Sequence, residues 1–161
     1  MFFEILFRKL QEKKVDYMVV GGVALVLQGA IRMTADLDLM VALNEHNLTV
    51  FIAAMNEMGF KPKVPVPSEA FISAENRESW IQDKGMIVFS FYHPGEMFSL
   101  VDVFVCEPIP YCEMRDRRDN KLIDDFSIPV ASIQDLIKLK QISGRPQDIE
   151  DIKALEALSH V

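Results

Sequence analysis

The chain has 161 residues, half of them hydrophobic and a quarter of them charged, with a formal net charge of -7. This composition supports one domain with a sizeable core and excludes a disordered chain. The acidic balance disfavours broad, sequence-independent binding to a nucleic-acid backbone, although it allows a local basic groove or a metal-bridged phosphate.

Cysteine spacing and apolar runs exclude further classes. Cys106 and Cys112 lack the CxxC spacing, and no Cys/His cluster has the spacing of a zinc site. No apolar run has the length of a membrane span, and the first residues do not form a convincing targeting segment. We therefore expect a cytoplasmic protein that does not associate with a membrane.

The first part of the chain alternates predicted helices and strands. Gly21 and Gly22 break the first strand, while Asn44 and Gly59 are typical of the start and stop of a helix. Three prolines within 61–67 predict a loop or an edge segment. The predicted elements are a helix over 2–13, a strand over 17–20, a helix over 23–28, a strand over 35–41 and a helix over 45–58.

The remainder continues this alternation. Ser132 with Asp135 forms a capping pattern, Gly144 ends the helix that follows, and Pro146 fits the first turn of the last helix. The predicted elements are a helix within 69–83, strands over 86–92 and 99–106, a strand pair near 121–130, and helices from 132 and over 146–158. The pattern predicts an α/β or α+β domain in which helices flank a mixed sheet, with a short C-terminal helical tail.

Asp36 and Asp38 lie two residues apart in the predicted strand 35–41. Alternate residues of a strand share a face, so the two carboxylates are about 7 Å apart along it and can bind the same cations. In isolation, a D-x-D pattern is more typical of a solvated strand face.

Gly21 and Gly22 join the first strand to the helix that follows. Without Cβ atoms, a phosphate can approach the backbone N–H groups, and a helix N-terminus favours negative charge. A tight strand-to-helix turn explains the pair equally well when it is considered alone. The sequence around it is neither a G-x-G-x-x-G fingerprint nor a P-loop.

Asp102 interrupts an apolar strand. Val101, Val103 and Val105 share the predicted core face, which leaves Asp102 on the opposite face. A carboxylate there is costly unless it is solvated, paired or bound to a metal. An open sheet face and a functional site explain it about equally well.

Taken together, these features resemble the DNA polymerase β-like nucleotidyltransferase superfamily. The matching order is Val20-Gly21-Gly22, then Asp36-Leu37-Asp38 after about a dozen residues, then Asp102 on a later strand. The run Arg32-x-Thr34-x-Asp36-x-Asp38 and the segments 135–140 and 144–152 resemble a small bacterial branch that includes abortive-infection toxin-type nucleotidyltransferases.

The resemblance implies one nucleotidyltransferase-like domain over residues 1–161, which moves a nucleoside monophosphate from an NTP to an acceptor hydroxyl. The implied ligands of Mg²⁺ or Mn²⁺ are Asp36, Asp38 and Asp102, and Asp102 is also a candidate to accept the hydroxyl proton. The implied nucleotide contacts are Gly21, Gly22, Arg32, Thr34, Lys140 and Arg145. For the carboxylates to meet, strands 35–41 and 99–106 must be neighbours.

Each cation also has a structural interpretation. Lys138 and Lys140 fit the solvated side of a helix, and the family pattern favours Lys140 for function. Arg145 is also placed to pair with Asp148 or Glu150. We interpret the acidic set Asp148, Glu150 and Asp151 as charge in the first turn of the last helix.

Two functions follow from this pattern. In the first, the protein is an active transferase whose acceptor is an RNA end, a protein or a small molecule. In the second, it is a non-catalytic nucleotide- or metal-binding relative, or the toxin-like half of a protein pair. Both allow a partner protein or a homo-oligomer.

Overall fold

Seven strands form one mixed sheet in the computed structural model, which describes residues 2–160 and their side chains except those of Phe2 and Met97. The strands are β1 (Tyr17–Val20), β2 (Leu37–Val41), β3 (Lys61–Pro62), β4 (Val88–His93), β5 (Glu96–Phe104), β6 (Asp119–Ile123) and β7 (Phe126–Val130). Their order across the sheet is β3-β4-β5-β2-β1-β7-β6. β2 runs parallel to β5 and β1 parallel to β7, whereas the other neighbours are antiparallel. The predicted mixed sheet is thereby confirmed.

Seven α-helices surround the sheet within the described residues. They are α1 (Phe2–Glu12), α2 (Gly21–Gln28), α3 (Glu45–Glu57), α4 (Ala74–Lys84), α5 (Tyr111–Arg117), α6 (Ile133–Ser143) and α7 (Pro146–Ser159), and a 3-10 turn at Ser68–Ile72 precedes α4. Across residues 2–160, none of these helices combines the length and apolar character needed to cross a bilayer.

One face of the sheet packs against α1, α3 and α4 and is fully buried there. Leu37 and Leu39 of β2 and Val101 and Val103 of β5 point to this face and are completely buried. Aromatic contacts join the same face to α1, α3 and α4, namely Phe7 with Tyr17, Phe51 with Phe91, and Trp80 with Phe89. The alternating residues of β2 and β5, which include Asp38 and Asp102, therefore lie on the opposite face.

Two predicted boundaries near the carboxylates are wrong by two residues. The helix predicted over 23–28 begins at Gly21, and the strand predicted over 35–41 begins at Leu37. Gly21 has a φ of +67°, so the chain turns into the helix at the first glycine without the steric cost of a Cβ atom. Asp36 consequently lies just before β2, with its carboxylate hydrogen-bonded to the backbone of β5.

Helix α5 was not predicted, and the helix predicted within 69–83 divides into a 3-10 turn and α4. Only Tyr111 and Met114 of α5 are buried, which gives too short an apolar pattern to indicate a helix. The predicted caps Asn44 and Ser132 are confirmed, because each accepts a hydrogen bond from the backbone three residues later.

Candidate active site

Asp38 and Asp102 are adjacent on neighbouring strands. The parallel pairing of β2 with β5 places the Cα atoms of these two residues opposite each other, and strands in a sheet are about 4.8 Å apart. The prediction that these strands are neighbours is confirmed. Both carboxylates therefore belong to one site on the sheet face opposite the core.

Asp36 joins the same edge by a backbone contact. Its Oδ1 accepts a hydrogen bond from the N–H of Leu100 at 3.2 Å, although the two residues are 64 positions apart in the chain. Leu100 precedes Asp102 by two residues on β5. The structure thus brings the three predicted carboxylates to one end of two paired strands.

Ser90 is a site residue that the sequence analysis missed. It lies opposite Asp102 in the β4–β5 pairing, and its hydroxyl donates a hydrogen bond of 2.5 Å to Asp102 Oδ1. The available signal was its position between the buried Phe89 and Phe91, which places it on the opposite face. Its contact fixes one oxygen of Asp102.

The carboxylates supply suitable ligands for a divalent cation without forming a ready-made cage. Within residues 2–160, no group of three His, Cys, Asp or Glu side chains is close enough to hold a metal ion. Two of the three carboxylates already accept hydrogen bonds from protein groups, Asp36 from Leu100 and Asp102 from Ser90. Oxygen ligands of this type suit Mg²⁺, which keeps several waters and binds through one or two carboxylates together with substrate phosphates.

The electrostatics of Asp38 indicate a site that favours positive charge. Burial, reinforced by the negative charges of Asp102 and Asp36, raises the pKa of Asp38 to about 6. Lys140 and Arg145 act on this pKa in the opposite direction. A cation bound beside Asp38 would offset the repulsion among the three carboxylates.

Gly21 brings the start of α2 against Asp38. A Cβ atom at Gly21 would lie 2.1 Å from Asp38 Oδ2, so a side chain at this position would displace the carboxylate. The N-cap residue is Val20, whose side chain cannot hydrogen-bond to the first N–H groups of the helix. The start of α2 and the Asp38 carboxylate are therefore in direct contact.

Gly22 has a related role toward the segment that enters β2. A Cβ atom at Gly22 would lie 2.7 Å from Thr34 Oγ1. The Thr34 hydroxyl also donates a hydrogen bond to the carbonyl oxygen of Asp36 at 3.3 Å. Thr34 thus packs against the glycine turn and shapes the backbone around Asp36.

Lys140 is buried between two carboxylates. Its Nζ donates to Asp148 Oδ1 at 3.1 Å and lies 2.8 Å from Asp151 Oδ2 in an ion pair without hydrogen-bond geometry. Lys138, two residues earlier on α6, is exposed. The sequence preference for Lys140 over Lys138 therefore selects the lysine whose charge acts on Asp38.

The interpretation of the acidic set as charge in the first turn is correct for Asp148 and wrong for Glu150 and Asp151, which lie beyond that turn. Asp148 lies in the first turn of α7 and accepts the backbone N–H of Arg145, although it is also buried. Asp151 is buried beside Lys140 because the two helices pack together. Glu150 is exposed and pairs with Lys153 at 3.0 Å.

The two arginines that were predicted to contact the nucleotide differ in accessibility. Arg145 pairs with Asp148 at 3.1 Å, as one interpretation expected, and its side chain is 66% exposed. Arg32 is turned toward α7, where its Nε lies 3.2 Å from Asp151 Oδ1 and its terminal nitrogens can donate to the amide oxygen of Gln147. Arg145 is consequently the better placed of the two to contact a phosphate.

Comparison with known proteins gives matches among solved structures alone. No family model and no curated protein matches the chain. The lincosamide antibiotic adenylyltransferase LnuA, bound to lincomycin, matches with a TM-score of 0.61 and 19% identity, covering 98% of this chain and 95% of that one.

Two further solved structures have a similar fold. An antigenic nucleotidyltransferase-like protein from Paracoccidioides brasiliensis has a TM-score of 0.59 and 20% identity, over 96% of this chain and 73% of its own. ANT(2")-Ia in complex with adenylyl-2"-tobramycin has a TM-score of 0.55 and 13% identity, over 92% and 82%. At sequence identities of 13–20%, this structural similarity establishes the fold alone.

Replacing Gly21 by Ala tests the contact with Asp38, and Gly85→Ala is the matched control. Both glycines have positive φ, +67° and +60°, but a Cβ atom at Gly85 would meet nothing within 4 Å. Urea unfolding should show a strain of roughly 1–2 kcal/mol in both variants and a further loss in Gly21→Ala. Equal losses in the two variants would contradict the proposed close approach.

Replacing Lys140 by Met tests the buried ion pairs. The change leaves Asp151 and Asp148 buried with less compensating charge, so the free energy of unfolding should fall by about 3 kcal/mol or more. Lys138→Met, on the exposed side of the same helix, should change it by less than about 0.5 kcal/mol. Urea titration of both variants measures the difference, and similar values would argue against the network.

The raised pKa of Asp38 predicts a pH-dependent stability in metal-free buffer. The folded protein holds this proton up to about pH 6, whereas the ordinary value is 3.8, so ionisation disfavours folding increasingly as pH rises between the two values. Asp38→Asn removes this effect, and its free energy of unfolding relative to wild type should increase across that window by up to about 3 kcal/mol. Urea unfolding with a chelator present measures this, and a difference independent of pH would refute it.

Proposed function

Because the chain has the nucleotidyltransferase fold, we propose that it transfers a nucleoside monophosphate from an NTP to an acceptor hydroxyl with Mg²⁺ or Mn²⁺. The observation that carries the proposal is the pairing of Asp38 with Asp102 beside the start of α2. This places carboxylates for a cation next to backbone N–H groups for a phosphate.

Asp36, Asp38 and Asp102 would supply carboxylate oxygens to the cation, and substrate phosphates and water would complete its coordination, because the three side chains alone do not form a metal cage. When bound, the cation would neutralise charge on the phosphates and on the carboxylates together. The pKa of Asp38, raised by burial and by its acidic neighbours, supports this assignment because a cation would offset the electrostatic cost of ionising all three groups. Manganese has the same preference for oxygen ligands.

The triphosphate would lie at the start of α2. The first N–H groups of α2 would face the phosphate oxygens, and the glycines allow this turn to lie against Asp38 and Thr34 because neither carries a Cβ atom. Arg145 would add a guanidinium from the accessible side. Arg32, Thr34 and Lys140 would act mainly by ordering this surface and by their charge, because each already contacts other protein groups.

Asp102 would take the proton of the acceptor hydroxyl. Ser90 donates to Asp102 Oδ1, so the hydroxyl proton is assigned to Oδ2. The same hydrogen bond orients the carboxylate, which positions the base before the acceptor arrives. Ser90 is thus a positioning residue in this proposal.

The structural similarity extends over nearly the whole of one solved transferase. It covers 95% of LnuA, whose name describes an adenylyltransferase. The location in the cytoplasm, a partner protein and a toxin-like role remain predictions. The acceptor stays open among a small molecule, RNA and a protein. Transfer of label from α-labelled NTPs into fractionated small molecules, RNA and protein would identify it.

Asp38→Asn is the sharpest test of the nucleotide site, with Asp116→Asn on the exposed surface of α5 as the control of equal charge change. A neutral amide is a poorer ligand for a hard cation, so Mg²⁺-dependent NTP binding should weaken about tenfold or more and transfer should stop. The melting temperature should stay the same or rise, because one of three repelling charges is removed. Calorimetric titration and thermal unfolding measure both effects.

The opposite pattern would defeat this role for Asp38. If the carboxylate only satisfies buried polar groups, Asn should cost on the order of 1–3 kcal/mol while metal–nucleotide binding stays normal. Wild-type protein that binds Mg²⁺–NTP but labels nothing in any fraction would instead support the non-catalytic alternative.

A further inference from the structure

Three large apolar side chains are almost fully exposed. The exposed fractions of Ile31, Met33 and Phe98 are 104%, 97% and 92%, whereas the next most exposed large apolar side chain in the described residues, Leu122, reaches 74%. Exposure of this extent contributes nothing to the core of the protein. Single exposed apolar residues are ordinary, but a group beside a polar site indicates binding.

These side chains lie on the two segments that lead into the carboxylate site. Ile31 and Met33 precede Asp36 in the segment before β2, and Phe98 precedes Asp102 by four residues on β5. The hydrogen bond from the Leu100 N–H to Asp36 joins the two segments side by side, and their strands run parallel. We call Ile31, Met33 and Phe98 the apolar rim.

Phe98 lies near the start of β5, four residues before Asp102. Leu100 and Asp102 share the face opposite the buried Val101 and Val103, whereas Phe98 lies where the register of β5 against β4 shifts, between the pairs Tyr92–Leu100 and His93–Glu96. At about 3.3 Å per residue, Phe98 lies no more than roughly 13 Å from Asp102 along the strand. A small molecule that rests on Phe98 can therefore extend to the carboxylate.

The segment that carries Ile31 and Met33 is held in place by its other residues. Arg32 pairs with Asp151, and Thr34 packs against Gly22. The anchored residues alternate with the exposed ones, so the apolar side chains are presented to solvent from a fixed backbone. Such fixation lowers the entropic cost of binding a ligand.

The charges around the apolar rim disfavour a polyanionic ligand. The apolar rim contains no cation and leads to three carboxylates, and Arg32, which lies between Ile31 and Met33 in the chain, is engaged by Asp151. The whole chain carries a formal net charge of -7. An RNA end would bring several phosphates to this surface without basic partners.

We propose that the apolar rim is the acceptor-binding surface, and that the acceptor is an uncharged or cationic small molecule with an apolar ring or chain next to its hydroxyl. This inference rests on the proposed function. The acceptor oxygen forms a bond to the α-phosphorus of the NTP, the bond from that phosphorus to the bridging oxygen breaks, and pyrophosphate leaves. The hydroxyl proton goes to Asp102.

Methyl NMR of the full chain tests the surface with benzyl alcohol, an uncharged ring that carries a hydroxyl. Without nucleotide or metal, we expect concentration-dependent shifts at the methyl groups of Ile31, Met33 and Leu100, with affinity on the order of millimolar. The methyl groups of Leu122 and Ile87, which are exposed elsewhere, should not shift. Phe98→Ser and Met33→Ser should each weaken binding about threefold or more, and Leu122→Ser should not.

Labelling in a cell extract tests the acceptor class itself. With α-labelled NTP and Mg²⁺, we expect label in small molecules that resist nuclease and protease, and Phe98→Ser should slow this transfer without changing NTP binding. Label in RNA or protein would overturn the proposal.

Three NMR outcomes would also overturn the proposal that the apolar rim binds the acceptor. They are equal shifts at Leu122 and Ile87, tighter binding of the tetranucleotide r(U)4 than of benzyl alcohol at the apolar rim, and rim signals that change with protein concentration as a dimer forms. Because the NMR titration contains neither metal nor NTP, its result is independent of whether Asp38 supports nucleotide binding. Failure of this inference and failure of the proposed function are therefore distinguishable.

Discussion

Repulsion among three carboxylates is the constraint on which the site depends. Parallel pairing of β2 with β5 sets Asp38 beside Asp102, and the backbone of Leu100 draws Asp36 to the same edge. Burial adds to this repulsion and raises the pKa of Asp38 to about 6. A fold that keeps such a cluster gives up stability in the metal-free protein, which is a common property of functional sites. A divalent cation with its phosphate ligand is the partner that this arrangement suits.

The protein supplies its own positive charge to the cluster from the C-terminal helices. Lys140 of α6 is held between Asp148 and Asp151 of α7, so its charge is fixed in position although it is shielded from solvent. Asp151 also pairs with Arg32, which precedes the carboxylates in the chain. One buried acidic residue thus connects the helical tail with the segment entering β2. The tail therefore belongs to the site as well as to the fold.

Close backbone approach determines how the proposed nucleotide-binding end of the site is built. Gly21 is required both by its positive φ and by the distance to Asp38, and Gly22 by the contact with Thr34. These positions leave the first N–H groups of α2 near the carboxylates, where an anion and a cation can be bound together. The segment before β2 and the start of β5 present apolar side chains instead of basic ones. In the proposed function, the polar and apolar parts of this surface would contact different parts of the substrates.

The sequence by itself determined the alternation of helices and strands, the caps at Asn44 and Ser132, and the three carboxylates, because periodicity, capping chemistry and a carboxylate in an apolar strand are local signals. Only the tertiary structure decided what depends on contacts between distant residues. The strand register placed Ser90 against Asp102, and helix packing buried Asp151 beside Lys140. No spacing along the chain encodes such contacts, since they arise when separate elements meet across the sheet or between helices.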